Sequence, residues 1–288
     1  MSLDLAIHGQ ALLGEGPRWD AEAGRLLWVD IEAGVLHVSD PKRGDDRAIP
    51  LGARVSAVAP TRGGDVLVAL PDRLAVVDLA DESVRTLAEI PHGKEMRLND
   101  GACDPAGRFW VGSMALDVAP GVASLYRYSC NGGVEGVLSD VTLSNGLGWT
   151  PDGQGMYFID SLAYRVDLFD FDVATGAISR RRPFVSIDAA DGIPDGLAVD
   201  DDGGVWVALY GGGAVRRYGA DGTLDRVLVV PADNVTACCF GGNDGRSLYV
   251  TTASVGLTAD ERRRQPLAGS VFVTDVGLSG PPAQPFAG

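Results

Sequence analysis

Asp195-Gly-Leu-Ala-Val-Asp-Asp-Asp-Gly-Gly-Val-Trp-Val-Ala208 runs from an oxygen-bearing side chain and a glycine, through an apolar stretch closed by aspartate, to a glycine-centred turn and a strand. The same order of parts begins at Glu15-Gly-Pro-Arg-Trp-Asp20, Asn99-Asp-Gly-Ala-Cys-Asp104 and Asn145-Gly-Leu-Gly-Trp-Thr150. Two looser copies place Val55 and Thr236 at the oxygen-bearing position. The turns centre on Gly24, Gly64, Gly107, Gly153, Gly203 and Gly245. Their period of roughly 40 to 50 residues is that of a four-stranded propeller blade.

Each turn leads into a short run rich in Val, Leu, Trp, Tyr and Phe, such as Arg25-Leu-Leu-Trp-Val-Asp30, Met156-Tyr-Phe-Ile-Asp160 or Ser247-Leu-Tyr-Val-Thr251. A further run follows in every unit, among them Val35-Leu-His-Val-Ser39 and Ala214-Val-Arg-Arg-Tyr218. Most of these alternate apolar and polar residues, as half-buried antiparallel strands do, and no long segment has helical periodicity. The expectation is an all-β fold, a six-bladed β-propeller of four-stranded antiparallel blades around a central channel, in one domain over residues 1–288. A pair of β-sandwiches is the competing reading, but a sandwich has no reason to repeat its turn chemistry six times. Pairing of the segment Leu3 to Ile7 with the last repeat is expected to close the ring and remove an exposed edge.

A net charge of −15 disfavours phosphate backbones and anionic lipid as partners, so neither nucleic acid nor a membrane is expected. The start, Met1-Ser-Leu-Asp-Leu-Ala-Ile-His8, lacks the basic and apolar regions of a secretory signal. No stretch approaches the roughly 20 apolar residues of a membrane span, and the protein is expected in the cytoplasm. Four cysteines, two of them the adjacent Cys238 and Cys239, show neither zinc-ribbon nor disulfide spacing and read as reduced, mostly buried thiols.

In a propeller the first strand of each blade lines the channel, so the six equivalent positions form a ring at one mouth. Four of them carry carboxylate or amide oxygens: Glu15, Asn99, Asn145 and Asp195. Converging carboxylates repel and raise each other's pKa, a cost that a bound divalent ion reverses. A donor set without His or Cys suits calcium, magnesium or manganese, with zinc a second choice. Taken singly, an Asp-Gly or Asn-Gly pair is a common turn device; recurrence at one repeat position is what argues for convergence. Arg97, two residues before Asn99 in an extended segment, shares its side and could reach the same mouth, the alternative being a surface salt bridge. Asp100 stands where the other copies have glycine, either beside the ring or opening the turn. His8, His37 and His92 lie in no nucleophile motif, and Cys238 and Cys239 read as packing residues.

Several stretches together resemble the senescence marker protein (regucalcin) and gluconolactonase family. They are Gly14-Glu-Gly-Pro17, Arg97-Leu-Asn-Asp-Gly101, Ser144-Asn-Gly-Leu147, Tyr157-Phe-Ile-Asp-Ser-Leu162, Ile193-Pro-Asp-Gly196 and Cys238-Cys-Phe-Gly-Gly242. The resemblance implies a six-bladed propeller that hydrolyses sugar lactones with one divalent cation, held by Glu15, Asn145 and Asp195. It implies calcium first, with zinc, manganese or magnesium as alternatives, and a small-molecule sugar lactone as the partner. Arg97 and Asn99 match positions that contact substrate. The family's acidic lid residue falls on Asp117, where glutamate is usual. In the mechanism that follows, the cation polarises the carbonyl, Asp195 doubles as general base toward water, and the product is an aldonic acid. Two other functions remain open at this stage: an organophosphate or aryl ester hydrolase of the same metal-propeller type, and a calcium-binding propeller without catalysis.

Overall fold

The glycines at the six turns all adopt positive φ, from 66° at Gly24 to 88° at Gly64, a region that costs glycine little and a side chain much. Each joins the innermost strand of a four-stranded sheet to the second. The computed structural model describes residues 3–288; Met1 and Ser2, which open the stretch read for a leader, lie outside the described residues.

Six antiparallel four-stranded sheets form the blades of a β-propeller. In blades I to V the strands follow one another in chain order from the channel outward. The inner strands are Gly14–Asp20, Ala57–Pro60, Met96–Cys103, Ser144–Trp149, Ile193–Val199 and, in blade VI, Val235–Gly241. Blade VI takes its outer strand, Asp4–Ile7, from the chain start, where it pairs with Val271–Asp275. That is the closure read from the sequence. No helix among the described residues is long and apolar enough to cross a membrane.

The core is divided among the blade interfaces. Leu27, Val29 and Ile31 of blade I pack against Val58, Val66 and Val68 of blade II. Trp110 of blade III meets Phe158 and Phe169 of blade IV, and Trp206 of blade V meets Phe240 and Phe272 of blade VI. Period-two alternation places one apolar face of each sheet against each neighbour, so both faces of a blade are buried and the ring holds itself together.

Five residues after Glu15, Asn99 and Asp195 stands an aspartate with a visible task, where the Asn145 copy has Thr150. Asp200, fully buried, accepts from the backbone N–H of Gly204 at 2.8 Å, from Trp206 Nε1 at 2.8 Å and from Arg217 Nε at 2.7 Å. Asp104 does the same for Arg108 Nε at 2.6 Å and Trp110 Nε1 at 2.9 Å. Turn, second strand and core tryptophan are thereby tied to one carboxylate, which keeps the inner strand in register.

Candidate functional site at the channel mouth

Glu15, Asn99, Asn145 and Asp195 each lie where an inner strand slips register against its neighbour. The slips fall between Glu15 and Arg18, Leu98 and Gly101, Ser144 and Leu147, and Pro194 and Leu197. A bulge of this kind re-aims a side chain out of the pleat. The glycine after the ligand position is needed for close approach: a Cβ at Gly146 would meet the Asp195 carbonyl oxygen at 2.8 Å, and one at Gly196 the Ala237 Cβ at 2.5 Å. These pairs are therefore bulge and packing elements, not the turn dipeptides that each alone resembles. Blade II has a regular pairing and no bulge, and its Val55 offers no oxygen.

The second strands clamp the approach to this mouth. Asp30 accepts from the backbone N–H groups of Leu12 and Leu13 at 2.8 and 3.1 Å, just before Glu15. Asp160 accepts from Thr142 and Leu143, each at 3.0 Å, just before Asn145.

A directed line of hydrogen bonds then crosses from blade III to blade IV. Arg97 Nη1 donates to Asn99 Oδ1 at 2.7 Å and to the Leu98 carbonyl at 2.9 Å. Asn99 Nδ2 donates to the Ser144 carbonyl at 2.8 Å and to Asn145 Oδ1 at 3.3 Å. Asn145 Nδ2 donates to Ser161 Oγ at 2.9 Å, which fixes the amide with its oxygen facing Asn99. Arg97, Asn99, Asn145, Glu15 and Asp195 are all buried. Both of these Arg97 bonds leave from Nη1.

Electrostatics binds the set together. Burial pushes Glu15 up to about 8, with the charge of Asp100 adding to it. Burial and then the charge of Glu15 push Asp195 well above the usual carboxylate range. Arg97, desolvated, is brought down to about 10 while feeling both carboxylates. Asp195 Oδ1 is buried and accepts no hydrogen bond among the described residues, although a side-chain hydrogen bond from Asn145 to this carboxylate partly opposes the rise. A buried carboxylate oxygen without a donor is unfavourable unless it is protonated or faces a cation.

The donor set fits a hard divalent cation: two carboxylates whose proton affinity is raised, one amide oxygen held in place, and an oxygen with no other partner. No three His, Cys, Asp or Glu side chains cluster among the described residues, so a cation here would rest on the Asn145 oxygen and on solvent to complete its shell.

Asp100 is buried and ion-paired to Arg18 Nη2 at 3.2 Å, and its Oδ1 also accepts from the Gly101 N–H at 2.7 Å. It stands within the channel rather than opening a turn. Asp117 is exposed, and its Oδ1 accepts from the Ala119 N–H at 3.1 Å; no hydrogen bond or ion pair ties it to the buried group. The sequence reading passed over Ser161, Arg18 and Tyr210. Tyr210, half-buried at the end of the strand paired with Asp195's own, has its phenol raised by burial and then by Asp195 and Glu15. Only Ser161 had a signal, its place in the Ile-Asp-Ser-Leu stretch.

Residues 13–254 match the family described as SMP-30/Gluconolactonase/LRE-like region. Regucalcin of Gallus gallus is 40% identical over 284 residues, covering 96% of this chain and 95% of the relative. YvrE of Bacillus subtilis (strain 168), named as a provisionally assigned sugar lactone lactonase, is 36% identical over 290 residues, covering 100% and 99%. The crystal structure of a calcium-binding protein, regucalcin, from Agrobacterium tumefaciens str. C58 superposes with a TM-score of 0.94 at 29% identity, covering 99% of this chain and 97% of that one. With the propeller, its bulged inner strands and these full-length similarities, the chain belongs to the SMP-30/gluconolactonase/LRE-like family.

Proposed function

We propose that the protein is a divalent-cation-dependent hydrolase of sugar lactones, opening the ring ester to an aldonic acid. The observation that carries the reading is the unpartnered Asp195 Oδ1 beside Glu15 and Asn145, with Arg97 and Asn99 joined to the same hydrogen-bond line. Glu15, Asn145 and Asp195 would hold the cation, calcium first and zinc, manganese or magnesium after it. A cation bound there supplies a Lewis acid that polarises the lactone carbonyl and balances the developing oxyanion.

The chain's own residues do the rest. Asp195 takes a proton from water as the water oxygen bonds to the carbonyl carbon. The ring C–O bond then breaks, and the proton passes from Asp195 to the leaving alkoxide. Arg97, through Nε and Nη2, donates to sugar hydroxyls or the ring oxygen, and Asn99 holds that guanidinium in place. Asp117 would meet the sugar from the exposed loop above the mouth.

Asp195→Ala is expected to lower turnover of gluconolactone by roughly two to four orders of magnitude, measured by pH-stat in cation-replete buffer. Unchanged turnover refutes the role. Chelation is expected to abolish hydrolysis, and calcium, manganese or zinc to restore it. A panel with xylonolactone and an aryl phosphotriester separates lactonase from organophosphate hydrolase by relative kcat/KM. Calcium binding without turnover of any of these would favour a non-catalytic propeller, in line with the calcium-binding description of the Agrobacterium relative.

A further inference from the structure

Blade II gives the ring no oxygen, its position there being Val55, but the residue before it is Arg54. Arg54 donates from Nε at 3.1 Å and from Nη2 at 2.8 Å, both times to Oε2 of Glu32 in blade I. Strand order puts this pair at the mouth that holds Glu15. Each inner strand begins at that mouth, so the turn from the second to the third strand of blade I, residues 31–34, returns to the same end. Arg54 lies in the segment that enters the inner strand Ala57–Pro60 of blade II.

The backbone sets the two residues side by side. The Ile31 N–H donates to the Leu13 carbonyl at 3.0 Å, and the Ala33 N–H to Asp30 Oδ1 at 3.2 Å, the carboxylate that also clamps Leu12 and Leu13 ahead of Glu15. On the other side the Leu51 N–H donates to the Gly34 carbonyl at 2.9 Å. Gly34 has φ 67°, and a Cβ there would meet the Ala53 carbonyl oxygen at 2.4 Å, so the turn is pressed against the segment that carries Arg54.

Charge places the pair beside Arg97. Beyond its own desolvation, the Arg97 guanidinium feels Glu32 most, then Arg54, and only then Glu15 and Asp195. The side chains of Glu32 and Arg54 are 26% and 44% exposed, so solvent in the mouth reaches both. An exposed ion pair adds little stability by itself. As ligand groups, however, the two are complementary. A carboxylate only accepts, a guanidinium only donates, and a hydroxyl does both, so neighbouring hydroxyls of a neutral polyol match the pair. An ion of either sign meets one wrong partner, and an apolar chain would strip water from two charges.

We propose that Glu32 and Arg54 form a sugar-hydroxyl subsite at the rim of the mouth and set its preference for hydroxylated lactones. Glu32 accepts from one hydroxyl and Arg54 donates to its neighbour, while Arg97 holds the ring. The role in specificity rests on the lactonase reading; the binding of a sugar ring does not.

Kinetics and calorimetry test the two parts separately. Glu32→Ala and Arg54→Ala are compared with the parent on gluconolactone and on δ-valerolactone, the same ring ester without hydroxyls. All three are also titrated with 1,5-anhydroglucitol, the sugar ring without the carbonyl. Each variant is expected to reduce the kcat/KM preference for gluconolactone over δ-valerolactone about tenfold, mainly through KM, as for the loss of one charge-assisted hydrogen bond. Binding of 1,5-anhydroglucitol is expected to weaken by a similar factor. Glu32→Gln, which keeps an acceptor oxygen, is expected to recover most of both. An unchanged preference, an equal loss on the two lactones, or equal 1,5-anhydroglucitol affinities in parent and variants would each overturn the proposal. A parent that hydrolyses neither lactone overturns the lactonase reading instead. The titration then decides the subsite: weaker binding in the variants upholds it, and no binding to the parent overturns it.

Discussion

Asn145 shows how much of a site can rest on the side chain behind it. Its Nδ2 is held by Ser161 Oγ, and its Oδ1 is thereby presented on the side where Asn99 lies. Without that bond the amide is free to rotate and offer its nitrogen to a cation, which repels it. Partners behind metal ligands typically matter by about 10–100-fold in affinity. Ser161→Ala is therefore expected to weaken calcium binding by roughly tenfold, with the melting temperature of the cation-free protein little changed. Equal calorimetric affinities for variant and parent would remove Ser161 from the site. Arg97→Lys tests a different property at the same scale. A lysine supplies the charge but not the planar fork that reaches Asn99 while keeping other donors free, so KM for gluconolactone should rise more than kcat falls. A fall in kcat alone, at unchanged KM, would remove Arg97 from ground-state sugar binding.

At the scale of the element, the inner strand serves two ends at once. Its bulge aims a channel oxygen, and its terminal aspartate locks the turn that sets where that bulge falls. Asp200 gathers a backbone N–H, an indole and a guanidinium on one fully buried carboxylate. Removing it leaves Arg217, itself buried, with only Asp225 at 2.7 Å as a partner. Breaking a buried pair of this kind costs about 3–5 kcal/mol. Asp200→Ala should lie near the lower end, because Asp225 remains, and should shift the urea midpoint without changing its slope. A midpoint within error of the parent would show that the turn and core hold without the carboxylate. The repeat itself was legible because the glycine turn, the aspartate and the strand follow local rules. The bulges were not, because a register slip depends on the neighbouring strand and leaves no mark in the residues that slip.

Across the whole molecule the ring brings like charges together, and pH should report it. In the cation-free protein Glu15 is held at about 8 against an ordinary 4.5, and Asp195 is raised as well. The folded state then binds more protons than the unfolded one between those limits. These groups cost no stability below about pH 4.5, and stability is lost progressively as pH rises through about 8. A cation that takes the place of the protons cancels that loss. The rise in melting temperature on adding calcium is therefore expected to grow from pH 5 to pH 8.5, measured by calorimetry in matched buffers. An increment that stays constant or shrinks over that range would mean that the carboxylates do not share an ion.

The propeller, its six blades and the closure by the chain start could all be read from the residues alone. Each of these depends on a local pattern repeated at a fixed period, and repetition makes equivalent positions recognisable without coordinates. Which residues serve the channel oxygens emerges from the folded chain. Ser161 behind Asn145, Arg18 across from Asp100 and Arg54 beside Glu32 are partners from distant parts of the chain, and no spacing rule links them. Asp117 lies exposed on its loop, where its Oδ1 accepts from the Ala119 N–H, and a loop's course is set by what it packs against and not by the motif that precedes it.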